Sequence, residues 1–129
     1  MNQMIDAWKD VVTKNYANFS GRLGLAGFWW FVLVNFIVEL VLLILVVAVH
    51  PIFLVLYIGY ALAVIVPSIA AGIRRLHDTG KSGWFLLISL IPFVGGIILL
   101  VLFAQKGQPE ANQYGPPVTS APASGIQPA

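Results

Sequence analysis

Between Ala26 and Phe103 the chain is almost free of charge: Glu39 and the cluster Arg74, Arg75, Asp78 and Lys81 are the only Asp, Glu, Lys or Arg residues there. A soluble domain typically carries about 25% charged residues, enough to cover its exterior. Here 9% of 129 residues are charged, 59% are apolar, and the mean hydropathy is +0.89. The chain therefore reads as an integral membrane protein. Three apolar runs, at about 26–49, 52–73 and 84–103, each meet the roughly 20 residues that a helix needs to cross about 30 Å of hydrocarbon. His50-Pro51 separates the first two. Pro67 lies near the end of the second, where a neighbouring helix can satisfy the carbonyl that it frees.

Basic residues in the flanking segments set the orientation. Lys9, Lys14 and Arg22 precede the first run, Arg74, Arg75 and Lys81 follow the second, none lies in the first loop, and the C-terminal tail has only Lys106. Positive residues stay on the cytoplasmic side. This predicts a multi-pass protein with its N-terminus and the 74–83 loop in the cytoplasm and its tail outside. Pro92-Phe93-Val94-Gly95-Gly96 could instead fold the third run into a re-entrant hairpin and return the tail to the cytoplasm. Two arms of about eight residues would reach only about 12 Å, which favours a kinked span.

Residues 1–25 do not resemble a cleavable signal peptide. Met4, Ile5, Trp8, Val11, Val12, Tyr16 and Phe19 recur at helical spacing, with Asp6, Lys9, Asp10, Lys14 and Asn18 opposite them, so an amphipathic helix is expected. It could lie at the cytoplasmic interface or pack on the protein itself. Residues 107–129, rich in Pro, Ala and Ser, form a tail expected to be disordered beyond about Pro117. The expected architecture is all-α: an interfacial helix (1–25), a three-span membrane domain (26–106) and the tail.

Few motifs survive a check of spacing. Gly80-Lys81-Ser82 ends like a phosphate-binding loop, but Arg75 stands where that motif needs its first Gly. Asp78-Thr79-Gly80 lacks the second carboxylate of an aspartic protease and reads as a turn, with Asp78 and Gly80 ordering the loop. His50 and His77, a whole span apart, make no metal site, and the chain has no Cys. A net charge of +2 gives no nucleic-acid footprint. Arg74 and Arg75 admit three readings: a topology signal that snorkels to phosphates, an internal clamp on Asp78 or on helix-end carbonyls, or a specific anion or lipid-headgroup site together with Arg22, His77 and Lys81.

Glu39 lies near the middle of the first run, where an ionised carboxylate is costly unless paired. Asn35 sits one turn earlier on the same face, and Tyr57, Tyr60 or Ser89 could add a bond from a neighbouring helix. A proton or ion path is the alternative, although the other two runs offer no titratable group apart from tyrosines.

Phe19-x-Gly21-Arg22, Phe28-Trp29, the segment Arg74-Arg75-Leu76-His77-Asp78-Thr79-Gly80-Lys81-Ser82-Gly83-Trp84, Ile91-Pro92-Phe93-Val94-Gly95 and Asn112-x-Tyr114-Gly115 together resemble the YhaH-like small bacterial inner-membrane proteins. That family is classed as a domain of unknown function. The resemblance covers roughly residues 8–116 and implies a cytoplasmic-membrane location, with no established activity, cofactor or catalytic residue. Leu25 and Gly27 depart from the family pattern, which usually has Arg and Glu there, and the missing carboxylate favours lipid phosphate as the counter-charge of the arginines. The expected function is that of a non-enzymatic module that binds anionic lipid and associates with itself or another membrane protein, Gly59/Ala63 and Ser68/Gly72 offering small faces for helix approach. The alternative is an oligomeric transporter or channel subunit using Glu39, His77 and Asp78 for protons or ions.

Overall fold

In a computed structural model that describes residues 2–118, those residues form helices and turns with no β-strand. Helix α1 (Asn2–Val12) precedes α2 (Leu25–Ile44), which runs on through a π turn, Leu45–Val49. After the His50-Pro51 break come α3 (Phe53–Ala63) and α4 (Ile65–Asp78), then a 3₁₀ helix (Gly83–Leu90) and α5 (Val94–Ala104). Two continuous helical stretches, Leu25–Val49 and Phe53–Asp78, are long and apolar enough to cross a membrane. The core helix of a soluble protein would be mostly buried. Here only 6% and 17% of their most apolar windows are buried, which leaves their apolar faces uncovered by protein.

Local chemistry explains the breaks. His50 is extended, and its Nδ1 accepts from the Ile52 N–H at 3.0 Å, capping the turn into α3. Pro67 has no N–H to give the Ala63 carbonyl, and the chain relaxes at Val64 (φ −93°, ψ 0°). The freed carbonyl is taken by the Tyr16 hydroxyl at 2.6 Å. The segment before α2 thus reaches well along the second span.

The packed core is concentrated where α1 and the ends of the spans meet. Val11, Leu23, Phe28, Phe31 and Ala71 are buried together, with Trp8, Val12, Trp29, Val32 and Phe103 around them. The Phe28 ring lies 4.8 Å from that of Phe103 and edge-on to Trp29. Ala7 and Val11, one turn apart, are fully buried, so the apolar stripe of α1 packs on protein.

The third run departs from the expected kinked span. Its arms, the 3₁₀ helix and α5, fold against each other around Ile91–Phe93. A Cβ on Gly95 would strike the Ile88 carbonyl, so the crossing requires glycine at that position. Both ends of the run lie beside α4: Gly83 against Ile73, and the Phe103 carbonyl accepting from Arg75 Nε at 2.9 Å. At 2.0 Å per residue in 3₁₀ and 1.5 Å in α geometry, each arm extends about 16 Å. That is about half a bilayer, the dimension of a hairpin rather than of a straight span. The tail consequently returns to the same end of the molecule as the 79–82 loop, which corrects the expectation that it lies on the opposite side.

Candidate functional site

At that end, two arginines and an aspartate form a buried latch. Asp78, on the last turn of α4, accepts from Arg22 Nε at 2.9 Å through Oδ1 and from Arg75 Nη1 at 2.7 Å through Oδ2. Both arginine side chains have zero relative exposure and that of Asp78 only 4%. Buried charges persist when hydrogen bonds satisfy their remaining donors, and the Arg22 guanidinium meets this condition fully. Besides Asp78 Oδ1, it donates to the carbonyls of Glu110 (3.0 Å), Gly115 (3.2 Å), Asp78 (3.2 Å) and Gln108 (2.6 Å). Arg75 donates to the carbonyls of Leu23, Phe103 and Gln105 as well. One carboxylate thus ties together the entry to α2, the end of α4, the end of α5 and the tail.

The tail closes over this latch. The rings of His77 and Tyr114 stack at 3.8 Å, 2° from parallel. His77 Nδ1 lies 2.9 Å from the Gly21 carbonyl, and Asn112 Nδ2 donates to the His77 carbonyl at 3.0 Å. Asn112 and Gly115 exchange two backbone hydrogen bonds of 3.0 Å, with Gly115 at φ +133°. A Cβ on Gly107 would collide with the Asp78 carboxylate. Residues 107–116 are therefore ordered on the site. The disorder expected beyond about Pro117 falls almost wholly on residues 119–129, outside the described residues.

The other expected site residues separate by environment. Gly80 supplies the turn conformation expected of it (φ +78°). Asp78 instead gives its carboxylate to the arginines, and the loop is held by Lys81 N–H to Leu76 carbonyl (2.9 Å) and Thr79 Oγ1 to Leu76 carbonyl (3.0 Å). Arg74 is 3% exposed. Its Nε makes only a 3.4 Å bond to Ala70, and its Nη2 has no partner among the described residues. Lys81 stays at the surface, its Nζ 3.0 Å from Gln105 Oε1. Arg75 thus pairs with Asp78 as in the clamp reading, and Arg22, expected at a headgroup site, joins it on the same carboxylate.

Along the membrane helices, a separate chain of hydrogen bonds ends on Glu39. Trp8 Nε1 donates to Tyr60 Oη (3.3 Å), Tyr60 Oη to Asn35 Oδ1 (2.6 Å), and Asn35 Nδ2 to Glu39 Oε1 (2.9 Å). Asn35 and Tyr60 are the expected neighbours, Tyr60 acting through Asn35. No hydrogen-bonded route among the described residues joins this chain to His77 or Asp78. No group of three potential His, Cys, Asp or Glu metal ligands occurs among them either.

Sequence reasoning missed the tail carbonyls of Gln105, Gln108, Glu110 and Gly115, because backbone acceptors carry no side-chain signature. It also missed Trp8 as the first donor toward Glu39.

A family model described as "Protein of unknown function (DUF805)" matches residues 16–116, a stretch that includes every residue of the latch. The chain belongs to this family. This DUF805 protein is 39% identical over 108 residues to the inner membrane protein YhaI of Escherichia coli strain K12, covering 84% of this chain and 92% of that protein. It is likewise 39% identical over 118 residues to the inner membrane protein YhaH of the same strain, covering 84% and 93%. No solved structure matches. Family membership agrees with the uncovered apolar helices: this is an integral membrane protein of the inner-membrane type.

Proposed function

We propose that this DUF805 protein is a non-enzymatic module of the bacterial cytoplasmic membrane that engages anionic lipid headgroups. Its N-terminus, 79–82 loop and residues 105–118 all face the cytoplasm, as positive-inside placement of the basic segments favours. The observation that carries this reading is the complete internal use of Arg22 and of both Asp78 carboxyl oxygens. A latch so consumed holds the fold together and offers no group for acid, base or nucleophilic work. Cationic contact with the leaflet is left to Lys9, Lys14, Lys81 and Lys106, worth about 1 kcal/mol each beside anionic lipid. Native mass spectrometry from nanodiscs of mixed phosphatidylglycerol and phosphatidylcholine tests this. The wild type should retain phosphatidylglycerol, and the variant with all four lysines changed to Gln should lose that selectivity. Unchanged retention in the variant refutes the reading.

A protein partner has an observation of its own. Phe93, at the hairpin tip, is 91% exposed, and irregular backbone at membrane depth is tolerated only under protein cover. Self-association through this tip is therefore part of the proposal. Disulfide trapping of Phe93→Cys protomers in native membranes should give a dimer, and its absence under oxidation that cross-links a control pair argues against it.

A further inference from the structure

Glu39 lies fourteen residues into α2, about 21 Å from its start, and only one of its carboxyl oxygens is engaged. Oε1 accepts from Asn35, while Oε2 has no hydrogen-bond partner among the described residues. The residue lines a cavity of about 370 Å³ with Phe28, Phe31, Asn35, Phe36 and Ser68. The Ser68 hydroxyl also lacks a partner among the described residues. Phe36, 61% exposed, marks the side open to the bilayer. Phe28, Ser68 and Phe103 also line a second groove of about 480 Å³ between α4 and the hairpin, so the two spaces adjoin.

We infer that this cavity binds a membrane-soluble hydroxyl compound, an apolar alcohol or phenol whose single OH pairs with the free oxygen of Glu39. The body of such a ligand replaces lipid against the phenylalanines. Its hydroxyl can donate to a carboxylate or accept from a carboxylic acid, so the fit holds for either form of Glu39. Ser68 offers the OH a second partner. The three donors from Trp8, Tyr60 and Asn35 all point toward Glu39, and such chains polarise one another. Glu39 is thereby held in place with its other oxygen left over. This site is distinct from the lysine surface proposed above.

A long-chain primary alcohol, dodecanol, supplies the single hydroxyl and the apolar body that the site calls for. Wild-type protein in phosphatidylcholine nanodiscs is irradiated with dodecanol carrying a diazirine, and the labelled residues are mapped by mass spectrometry. Labelling of α2 around Phe28–Glu39 and of Ser68 is expected. Unlabelled dodecanol should compete roughly tenfold better than dodecane, the difference that one hydrogen bond in an apolar site makes. Glu39→Leu should lose that preference, and Glu39→Gln, which keeps an amide for both partners, should retain it. Equal competition by dodecane, or an undiminished preference in Glu39→Leu, overturns the proposal. The competition on wild type decides the matter even if Glu39→Leu fails to fold.

Discussion

Replacing Asp78 with Asn tests the latch at its centre. The amide matches the carboxylate in shape and keeps one acceptor, but it places an N–H₂ donor against a guanidinium that also only donates. Arg22 and Arg75, both fully buried, are then left in one pocket without a counter-charge. Solvent screening offers no relief at that depth. Removing one member of a buried ion pair costs about 3–5 kcal/mol. The tail is anchored mainly through Arg22, so the loss should appear first as tail release. The Gln108 amide, bonded to the Asp78 carbonyl at 2.8 Å, and the Gly115 amide, bonded to Asn112, should exchange hydrogen about two to four orders of magnitude faster, the factor that such an energy implies. Amide exchange in detergent micelles, resolved by mass spectrometry, reads this directly, with mid-α2 amides as the internal reference. Protection at Gln108 and Gly115 within threefold of wild type would refute the claim that one carboxylate holds both arginines and, through them, the tail.

Gly95→Ala should open the hairpin, because the new methyl meets the Ile88 carbonyl; the Ile91 amide, which donates to that carbonyl at 3.0 Å, should then exchange hydrogen several times faster than in the parent. Tyr16→Phe removes the donor to the Ala63 carbonyl and should lower stability by about 0.5–1.5 kcal/mol, measured by denaturant unfolding in micelles, whereas no change would mean that water already serves that carbonyl. A reporter that is active only in the cytoplasm, fused after Ala129, should be active, since the tail returns to the end that bears the 79–82 loop. Activity only from a periplasmic reporter would contradict the hairpin.

The spans were legible in the sequence because hydrocarbon imposes a length and an apolar composition that few other structures require. Ala26, Val49 and Ile52 mark helix ends to within a residue, the second helix runs five residues past Ile73 to Asp78, and His50-Pro51 breaks the chain where Pro and an extended His must. The third run was not legible in the same way. Its composition suits the membrane whether it crosses or returns, and what decides between these is local: Gly95 admits the Ile88 carbonyl, and Arg75 captures the end of α5. Charge counting could not place the tail beside the 79–82 loop for a related reason. It treats Lys106 as the only relevant charge, whereas the tail is held by carbonyl oxygens that no residue count records.

Arg74 shows how the latch and the membrane meet. Arg22 and Arg75 share Asp78, which leaves one buried cation, 3% exposed, with an Nη2 unpartnered among the described residues. The negative charge of Asp10 on α1 acts favourably on Arg74, yet its Oδ2 is held by Asn15 at 2.5 Å and makes no ion pair with Arg74. A buried charge without a direct ion pair is costly, so α1 sits over Arg74 with less stability than its apolar face alone would give. The apolar contacts of Ala7 and Val11 hold α1 down while Arg74 works against them. Asn15→Ala, which frees Asp10 to turn toward Arg74, should therefore tighten α1, and slower amide exchange across Ala7–Val11 is the expected result. Faster exchange there would show that Asn15 orders the helix end and that Arg74 imposes no cost.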